Sequence, residues 1–78
     1  MYQVVKRDGK IADFDISKIS VAITKAFEAT QKEFNQDIID FLALKVTADY
    51  QDKIHDSRVT VEDIQDSVES VLGKAGYE

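Results

Sequence analysis

Three basic side chains near the start of the sequence have the types and the spacing needed to hold a phosphate group. Lys6 and Arg7 stand side by side directly before Asp8-Gly9, and Lys18 follows beyond that turn signal. The planar fork of Arg7 matches phosphate oxygens, whereas Lys6 and Lys18 act as point charges. If the chain folds back at Asp8-Gly9, the three cations converge and can neutralise a small polyanion such as a nucleotide triphosphate.

Asp15 needs a separate explanation, because a carboxylate beside a phosphate site repels the ligand. It would be tolerated if it accepted a hydrogen bond from the ligand, for example from a base amino group or a ribose hydroxyl. A simpler interpretation stays open from the residues alone: Lys6 and Arg7 are solvated strand residues, and Asp15 only caps a helix. Short basic clusters beside hairpin turns are common, so for such a pattern this simpler interpretation is the more frequent one.

The distribution of charge favours a small anionic ligand over a nucleic acid. The 78 residues carry a formal net charge of -5, with five Lys/Arg against three acids in residues 1–25 and five against twelve in residues 26–78. An extended nucleic acid usually requires a broad basic surface, which this chain lacks. Cysteine is absent and His55 is the one histidine, so we expect no metal site. The acidic run in residues 62–69 is typical of a solvated helix face.

Several function classes are disfavoured by what the sequence lacks. We recognise no set of nucleophile, base and orienting acid, and we therefore expect no catalytic residues in this chain. The sequence contains neither a secretory signal nor about 18 consecutive apolar residues, so no membrane association is expected. The absence of cysteine suits a reducing compartment, and the expected location is the cytoplasm. The length and the lack of a linker predict a single domain over residues 1–78.

The elements that must position the basic residues are a hairpin and a helix. Strand-forming residues at 3–7 and 10–14, joined by Asp8-Gly9, predict a β-hairpin. A hairpin alone is marginal in water, so it must lie on an apolar surface. The first helix should begin at a cap, Asp15 or Ser17, and run to about residue 29. Its apolar stripe consists of Ile19, Ala22, Ile23, Ala26 and Phe27.

Two further helices supply the rest of the apolar surface. The second should begin near Asn35 or Asp37 and end near Tyr50, and residues 51–58 read as a polar loop. The third begins around Val59, with Thr60 as its cap. The apolar stripe of the second helix consists of Ile38, Phe41, Leu42, Val46 and Tyr50, and that of the third consists of Ile64, Val68, Val71 and Leu72. The predicted fold is α+β, with the N-terminal hairpin packed over a small bundle of three helices.

The segments VVKRDGKIADFDISKISVAITKAF and VTVEDIQDSVESVL together resemble the ATP-cone family over nearly the whole chain. The resemblance implies a domain that binds ATP or dATP, with Mg2+ arriving on the phosphates, and that regulates a ribonucleotide reductase without being catalytic itself. The expected partners are the nucleotide, the catalytic domain of the parent reductase and further copies of the chain in a homo-oligomer. The roles implied by the motif are packing on the nucleotide for Val4 and Ile19, phosphate binding for Lys6, Arg7 and Lys18, contact with the base for Asp15, and a position facing the nucleotide for Gln65.

Two details indicate which parent protein to expect, and a third concerns the length of the chain. The Ile64-Gln65 pair is more similar to the anaerobic ribonucleoside-triphosphate reductases than to the aerobic branch, which often carries histidine at that position. Family members usually continue into a fourth helix, so the chain looks truncated after residues 75–78. A Met1 placed almost directly before the motif favours a reductase over a transcriptional repressor of reductase genes, in which a zinc module precedes the cone. A ligand-free interaction module is the remaining alternative.

Overall fold

The computed structural model describes residues 2–76, so the ends of the predicted 1–78 domain, Met1 and residues 77–78, lie outside the described residues. Over residues 2–76 the chain forms three short β-strands and three α-helices. The strands form one sheet in the order β2-β1-β3. Apolar residues of the sheet pack against a core supplied mainly by the helices. The expected α+β class is confirmed.

The predicted hairpin consists of β1 (Gln3–Val5) and β2 (Ile11–Asp13), which pair antiparallel with Val4 opposite Ala12. Its turn is longer than the two-residue turn that Asp8-Gly9 suggests. The Lys6 carbonyl accepts from the Gly9 N–H at 2.9 Å, and Gly9 has a φ of 87°. This three-residue connection, with glycine in the left-handed conformation, is the second common way of closing a hairpin. It places Lys6 and Arg7 at the tip.

A third strand, β3 (Arg58–Thr60), pairs parallel to β1 with Val59 opposite Val4. The sequence did not predict it, since residues 51–58 read as a polar loop and Val59 as a helix start. Val59 is 2% exposed and belongs to the core. The strand therefore places the start of the third helix beside the hairpin.

A tight turn at Asp56 and Ser57 leads into β3. Both residues have positive φ angles, 52° and 61°, and His55 and Arg58 exchange both backbone hydrogen bonds at 2.9 Å. These features are those of a type I′ turn, whose usual sequence signature is Asn-Gly or Asp-Gly. Asp-Ser lacks the glycine, which explains why this turn was not recognisable from the sequence.

The helices are α1 (Ile16–Ala29), α2 (Gln36–Asp49) and α3 (Val61–Lys74), and a short 3-10 turn, Gln51–Lys53, follows α2. Each α-helix begins after a side chain that accepts a backbone N–H, and these caps are Asp15, Asn35 and Thr60. Each of the caps was among the residues that the sequence pattern suggested. In the part of the chain that is described, no helix is long and apolar enough to cross a membrane.

Helix α2 packs against both α1 and α3, and its buried face differs from the predicted stripe. Phe41 was predicted to face the core but is 57% exposed, whereas Ile39 and Ala43 are buried. A helix that contacts two neighbours must bury a broad face, and here that face is centred about one residue away from the predicted stripe. The buried core consists of Ile19, Ile23, Phe27, Ile39, Leu42, Ala43, Val46, Tyr50, Val59, Val71 and Leu72.

Candidate functional site

A pocket of about 200 Å³ opens where the hairpin, the start of α1 and the first turns of α3 meet. No residue of α2 lines it, although α2 packs against both α1 and α3. The lining residues are Val4, Lys6, Ala12, Asp13, Phe14, Asp15, Lys18, Ile19, Ala22, Val61, Ile64, Gln65 and Val68. This set includes every predicted site residue except Arg7.

The interior of the pocket is apolar. Val4 and Ile19, which were predicted to pack on a ligand, form part of its wall. Ile64 and Val68 were predicted as members of the buried stripe of α3, but they are only half-buried and line the pocket from that helix. Phe14 closes one side, and its ring lies 4.7 Å from that of Tyr2, measured between centroids. Such a wall suits a flat aromatic group.

Lys6 and Lys18 line the pocket and are exposed to solvent. Lys6 follows β1 at the hairpin tip, and Lys18 belongs to the first turn of α1. Two backbone N–H groups there are already bonded, that of Ser17 to the Asp15 carboxylate and that of Lys18 to the Asp15 carbonyl. An anion at this end of α1 would therefore interact chiefly with the lysine side chains and the helix dipole.

Asp15 caps α1 through one carboxylate oxygen. Its Oδ1 accepts from the Ser17 N–H at 2.9 Å and from the Ser17 hydroxyl at 2.7 Å. The hydrogen bond from the Ser17 side chain, followed by that from its backbone and by the charge of Lys18, lowers the pKa of Asp15 below its ordinary value. Oδ2 has no hydrogen-bond partner among residues 2–76. Asp15 can therefore cap the helix and still offer one oxygen to a ligand.

Arg7 lies at the edge of the pocket, where it bridges the hairpin tip and α3. Its Nε donates to Glu62 Oε1 at 3.2 Å, forming an ion pair. Its Nη2 donates to Gln65 Oε1, and Gln65 in turn lines the pocket. The sequence suggested that Arg7 would face a ligand together with the lysines. In this structure its guanidinium instead holds two side chains of α3.

Asp13 and Glu62, which no sequence motif assigned to the site, both affect its charge. Asp13 lines the pocket together with Asp15, so the two lysines of the lining are matched by two carboxylates. Alternation along β2 places Asp13 on the same side as Ile11, and this pattern alone did not distinguish it from an ordinary exposed strand residue. The lining itself is therefore electrically balanced, and beside it the charge of Glu62 offsets that of Arg7.

Within residues 2–76, no group of three or more His, Asp or Glu side chains is arranged to hold a metal ion. His55, the one histidine, lies exposed beside the Asp56-Ser57 turn. The acidic residues of α3 that were interpreted as a solvated face, Glu62 and Asp66 among them, are exposed except for Asp63, which is half-buried.

Comparison with known proteins gives one family and a set of relatives. The family model described as ATP cone domain matches residues 2–78. The ribonucleoside-diphosphate reductase subunit alpha of Chlamydia muridarum is 34% identical over 82 residues, covering 95% of this chain and 8% of the relative. The vitamin B12-dependent ribonucleoside-diphosphate reductase of Thermoplasma acidophilum is 44% identical over 70 residues, covering 90% of this chain and 9% of the relative. The chain thus spans less than a tenth of the length of these curated relatives.

Proposed function

Because this chain belongs to the ATP-cone domain family, we propose that it is a regulatory domain that binds ATP or dATP and adjusts the activity of a ribonucleotide reductase. The observation that carries the proposal is the pocket between the hairpin, α1 and α3, which combines an apolar interior with Lys6 and Lys18 at its opening. An amphiphilic anion, with a flat apolar end and a charged end, is the ligand that such a pocket suits best.

The size of the pocket supports a mode of binding in which the base enters it and the phosphates stay outside. Its volume of about 200 Å³ is below the ~300 Å³ at which pockets for drug-sized ligands begin. The pocket therefore accepts only part of a nucleotide. Its apolar walls, formed by Val4, Ile19 and Ile64, favour the base over the charged phosphates. The phosphates, which are costly to bury, remain at the opening.

At the opening, Lys6 and Lys18 neutralise the phosphates as point charges. Arg7 stands beside them at the hairpin tip and can contact the outermost phosphate once its guanidinium turns from α3. Mg2+ is expected to arrive on the phosphates, because this ion usually keeps several waters and binds through phosphate oxygens. This division places the positive groups of the hairpin and of α1 where the charge of the nucleotide is greatest.

Two polar side chains would distinguish the base and the sugar. Asp15 Oδ2 can accept a hydrogen bond from a base amino group or a ribose hydroxyl, while Oδ1 continues to cap α1. Gln65 lines the pocket from α3 and offers amide groups to the nucleotide. A carboxylate at this position is tolerated because it acts as an acceptor toward a donor on the ligand.

The chain itself supplies no catalytic group in this proposal, and its effect on the reductase is exerted through contacts with the catalytic domain or between copies in a homo-oligomer. ATP and dATP regulate to the extent that they bind two arrangements of the parent protein with different affinities, commonly a difference of about 1–3 kcal/mol. The expected compartment is the cytoplasm, where both the reductase substrates and the effector nucleotides are found.

The parent is proposed to be a reductase and not a repressor, since the relatives named above are ribonucleoside-diphosphate reductases. These relatives are of two kinds, so the proposal does not name one class of reductase. The narrower prediction of an anaerobic ribonucleoside-triphosphate reductase rests on the Ile64-Gln65 pair, and it stays a prediction from sequence.

A second candidate function is that of an interaction module without a ligand. It is favoured by Phe41 and Leu44, which are 57% and 61% exposed on α2, and by a groove between α2 and α3 that Phe41 and Lys45 line. This candidate predicts that nucleotides have no effect on the domain.

Calorimetric titration of the 78-residue chain with Mg-ATP and Mg-dATP distinguishes the two candidates. The regulatory proposal predicts saturable binding of both nucleotides, with Mg-CTP as the control that shares the triphosphate but not the adenine. Binding of none of the three would leave the interaction module as the function. Equal binding of all three would mean that the site recognises the triphosphate and not the adenine base.

A further inference from the structure

Arg7 carries the guanidinium best placed to bind a phosphate at the pocket, but it is already paired with a carboxylate of α3. Arg7 Nε lies 3.2 Å from Glu62 Oε1, and Arg7 Nη2 donates to Gln65 Oε1. Neither Arg7 nor Glu62 lines the pocket, whereas Gln65 does. The ion pair therefore lies just outside the space that the base would fill.

The pair is exposed, and this limits its strength. The side chains of Arg7 and Glu62 are 64% and 56% accessible to solvent. Ion pairs of this kind are weak because water and salt screen both charges. A phosphate group carries more charge than a carboxylate and offers several oxygens to the guanidinium fork, so it can displace Glu62. A nucleoside without phosphate has nothing with which to do so.

We propose that Glu62 competes with the outer phosphates of the nucleotide for Arg7, so that it sets how strongly binding depends on the number of phosphates. This inference rests on the proposed function, because it concerns the same nucleotide site. In the free domain, Glu62 holds the Arg7 guanidinium on α3. A ligand whose phosphates reach the hairpin tip releases Arg7 from Glu62, and a ligand with no phosphate leaves the pair intact.

The alternative arrangement is that Glu62 positions Arg7 for the phosphate. Arg7 has five N–H donors, and the two contacts in this structure use one each from Nε and Nη2. If Arg7 bound phosphate while still paired, Glu62 would orient the fork and its loss would weaken binding. The two arrangements thus predict opposite signs for the effect of removing the Glu62 charge.

The test is a set of titrations of the full 78-residue chain with Mg-ATP, AMP and adenosine. The variants are Glu62→Gln, Arg7→Ala and the double variant, and the matched control is Glu69→Gln. Glu69 is an exposed acid of the same helix and has no hydrogen bond or ion pair among residues 2–76, so its substitution removes the same charge without touching Arg7. Thermal unfolding of each variant checks that the fold is retained.

Competition predicts that Glu62→Gln binds Mg-ATP about two- to fivefold more tightly than the native chain, the range that an exposed ion pair supports. Adenosine affinity should stay unchanged, and AMP should gain less than ATP. In the Arg7→Ala background the gain should shrink to that of Glu69→Gln, since no guanidinium is left to release.

Weaker ATP binding by Glu62→Gln, or an equal gain in Glu62→Gln and Glu69→Gln, would overturn the inference while leaving the nucleotide site in place. Equal gains for ATP and adenosine would overturn it as well. Failure of the native chain and of Glu62→Gln to bind ATP at all would instead refute the proposed function, and the inference with it. The two failures are therefore distinguishable in one set of measurements.

Discussion

At the scale of single residues, Lys18 offers the most direct test of the site, because it lines the pocket and its charge is solvated in the free domain. Lys18→Ala should weaken Mg-ATP binding about tenfold, which corresponds to the loss of one hydrogen bond to a charged group, about 1.4 kcal/mol. The melting temperature without ligand should change little, since surface substitutions are usually small in effect. Calorimetric titration measures the first quantity and thermal unfolding the second.

Lys25→Ala is the matched control for this prediction. Lys25 is an exposed lysine of the same helix and does not line the pocket. Equal losses in the two variants would mean that the net charge of the domain, and not a contact at Lys18, controls binding.

A second residue-scale prediction concerns acid stability. The Ser17 hydrogen bonds hold the pKa of Asp15 below its ordinary value of 3.8, so the folded state binds a proton at this carboxyl less readily than the unfolded state does. The resulting stability is present above pH 3.8 and is lost as the pH falls through the lower pKa of the folded state. Asp15→Asn keeps a helix cap but cannot titrate, and it should flatten the acid limb of the pH–stability curve. Parallel acid limbs for the two proteins would show that other carboxyls cause the loss.

At the scale of elements, the turn before β3 holds Ser57 in a strained backbone conformation that a substitution can relieve. Ser57 has a φ of 61°, a conformation that a residue with a β-carbon adopts at some cost and that glycine adopts freely. Ser57→Gly should raise the free energy of unfolding by about 0.5–1 kcal/mol, because the relief of strain exceeds the added entropy of the unfolded chain. Urea denaturation of the native chain and the variant measures this difference.

Ser57→Ala controls for the loss of the hydroxyl, since alanine gains nothing in the left-handed conformation. If alanine stabilised the fold as much as glycine, the positive φ of Ser57 would not be the cause. The result matters for the site, because the Ser57 carbonyl accepts from the Gln3 N–H at 2.8 Å and so helps to hold β3, and with it the start of α3, beside β1.

At the scale of the whole molecule, the small core makes the stability of the domain sensitive to ligands. A chain of 78 residues buries a modest apolar surface, and the core here rests on eleven buried apolar side chains within the described residues. Mg-ATP at a hundred times its dissociation constant should add about 2.7 kcal/mol. For a domain of this size, that increase should raise the melting temperature by roughly 10–20 °C.

Magnesium chloride with sodium tripolyphosphate is the control for the melting experiment, because it supplies the charge without the base. The apolar pocket predicts a much smaller shift for this mixture. An equal shift would assign the stabilisation to phosphate alone, and no shift with Mg-ATP would contradict the proposed binding to the folded state.

Local features of the sequence were sufficient to predict most elements, whereas the set of site residues came from the resemblance to a family. The caps at Asp15, Asn35 and Thr60 are decided by short-range hydrogen bonds, so nearby residues reveal them. The periodicity of α1 likewise placed Ile19 and Lys18 on the correct helix. Six of the seven residues selected from the motif line one pocket, although their roles toward a nucleotide remain predictions.

Features that depend on contacts between distant segments could not be predicted from the sequence. Strand β3 exists because Val59 pairs beside Val4, and no local pattern specifies a parallel pairing across that separation. The exposure of Phe41 follows from the packing of α2 against two helices at once, which determines the face that is buried. Arg7 meets Glu62 because β3, which pairs with β1, places the start of α3 beside the hairpin. Residue types fix where the charges lie along the chain, and near neighbours fix which segments form helices. Which charges meet depends on the packing of the whole chain.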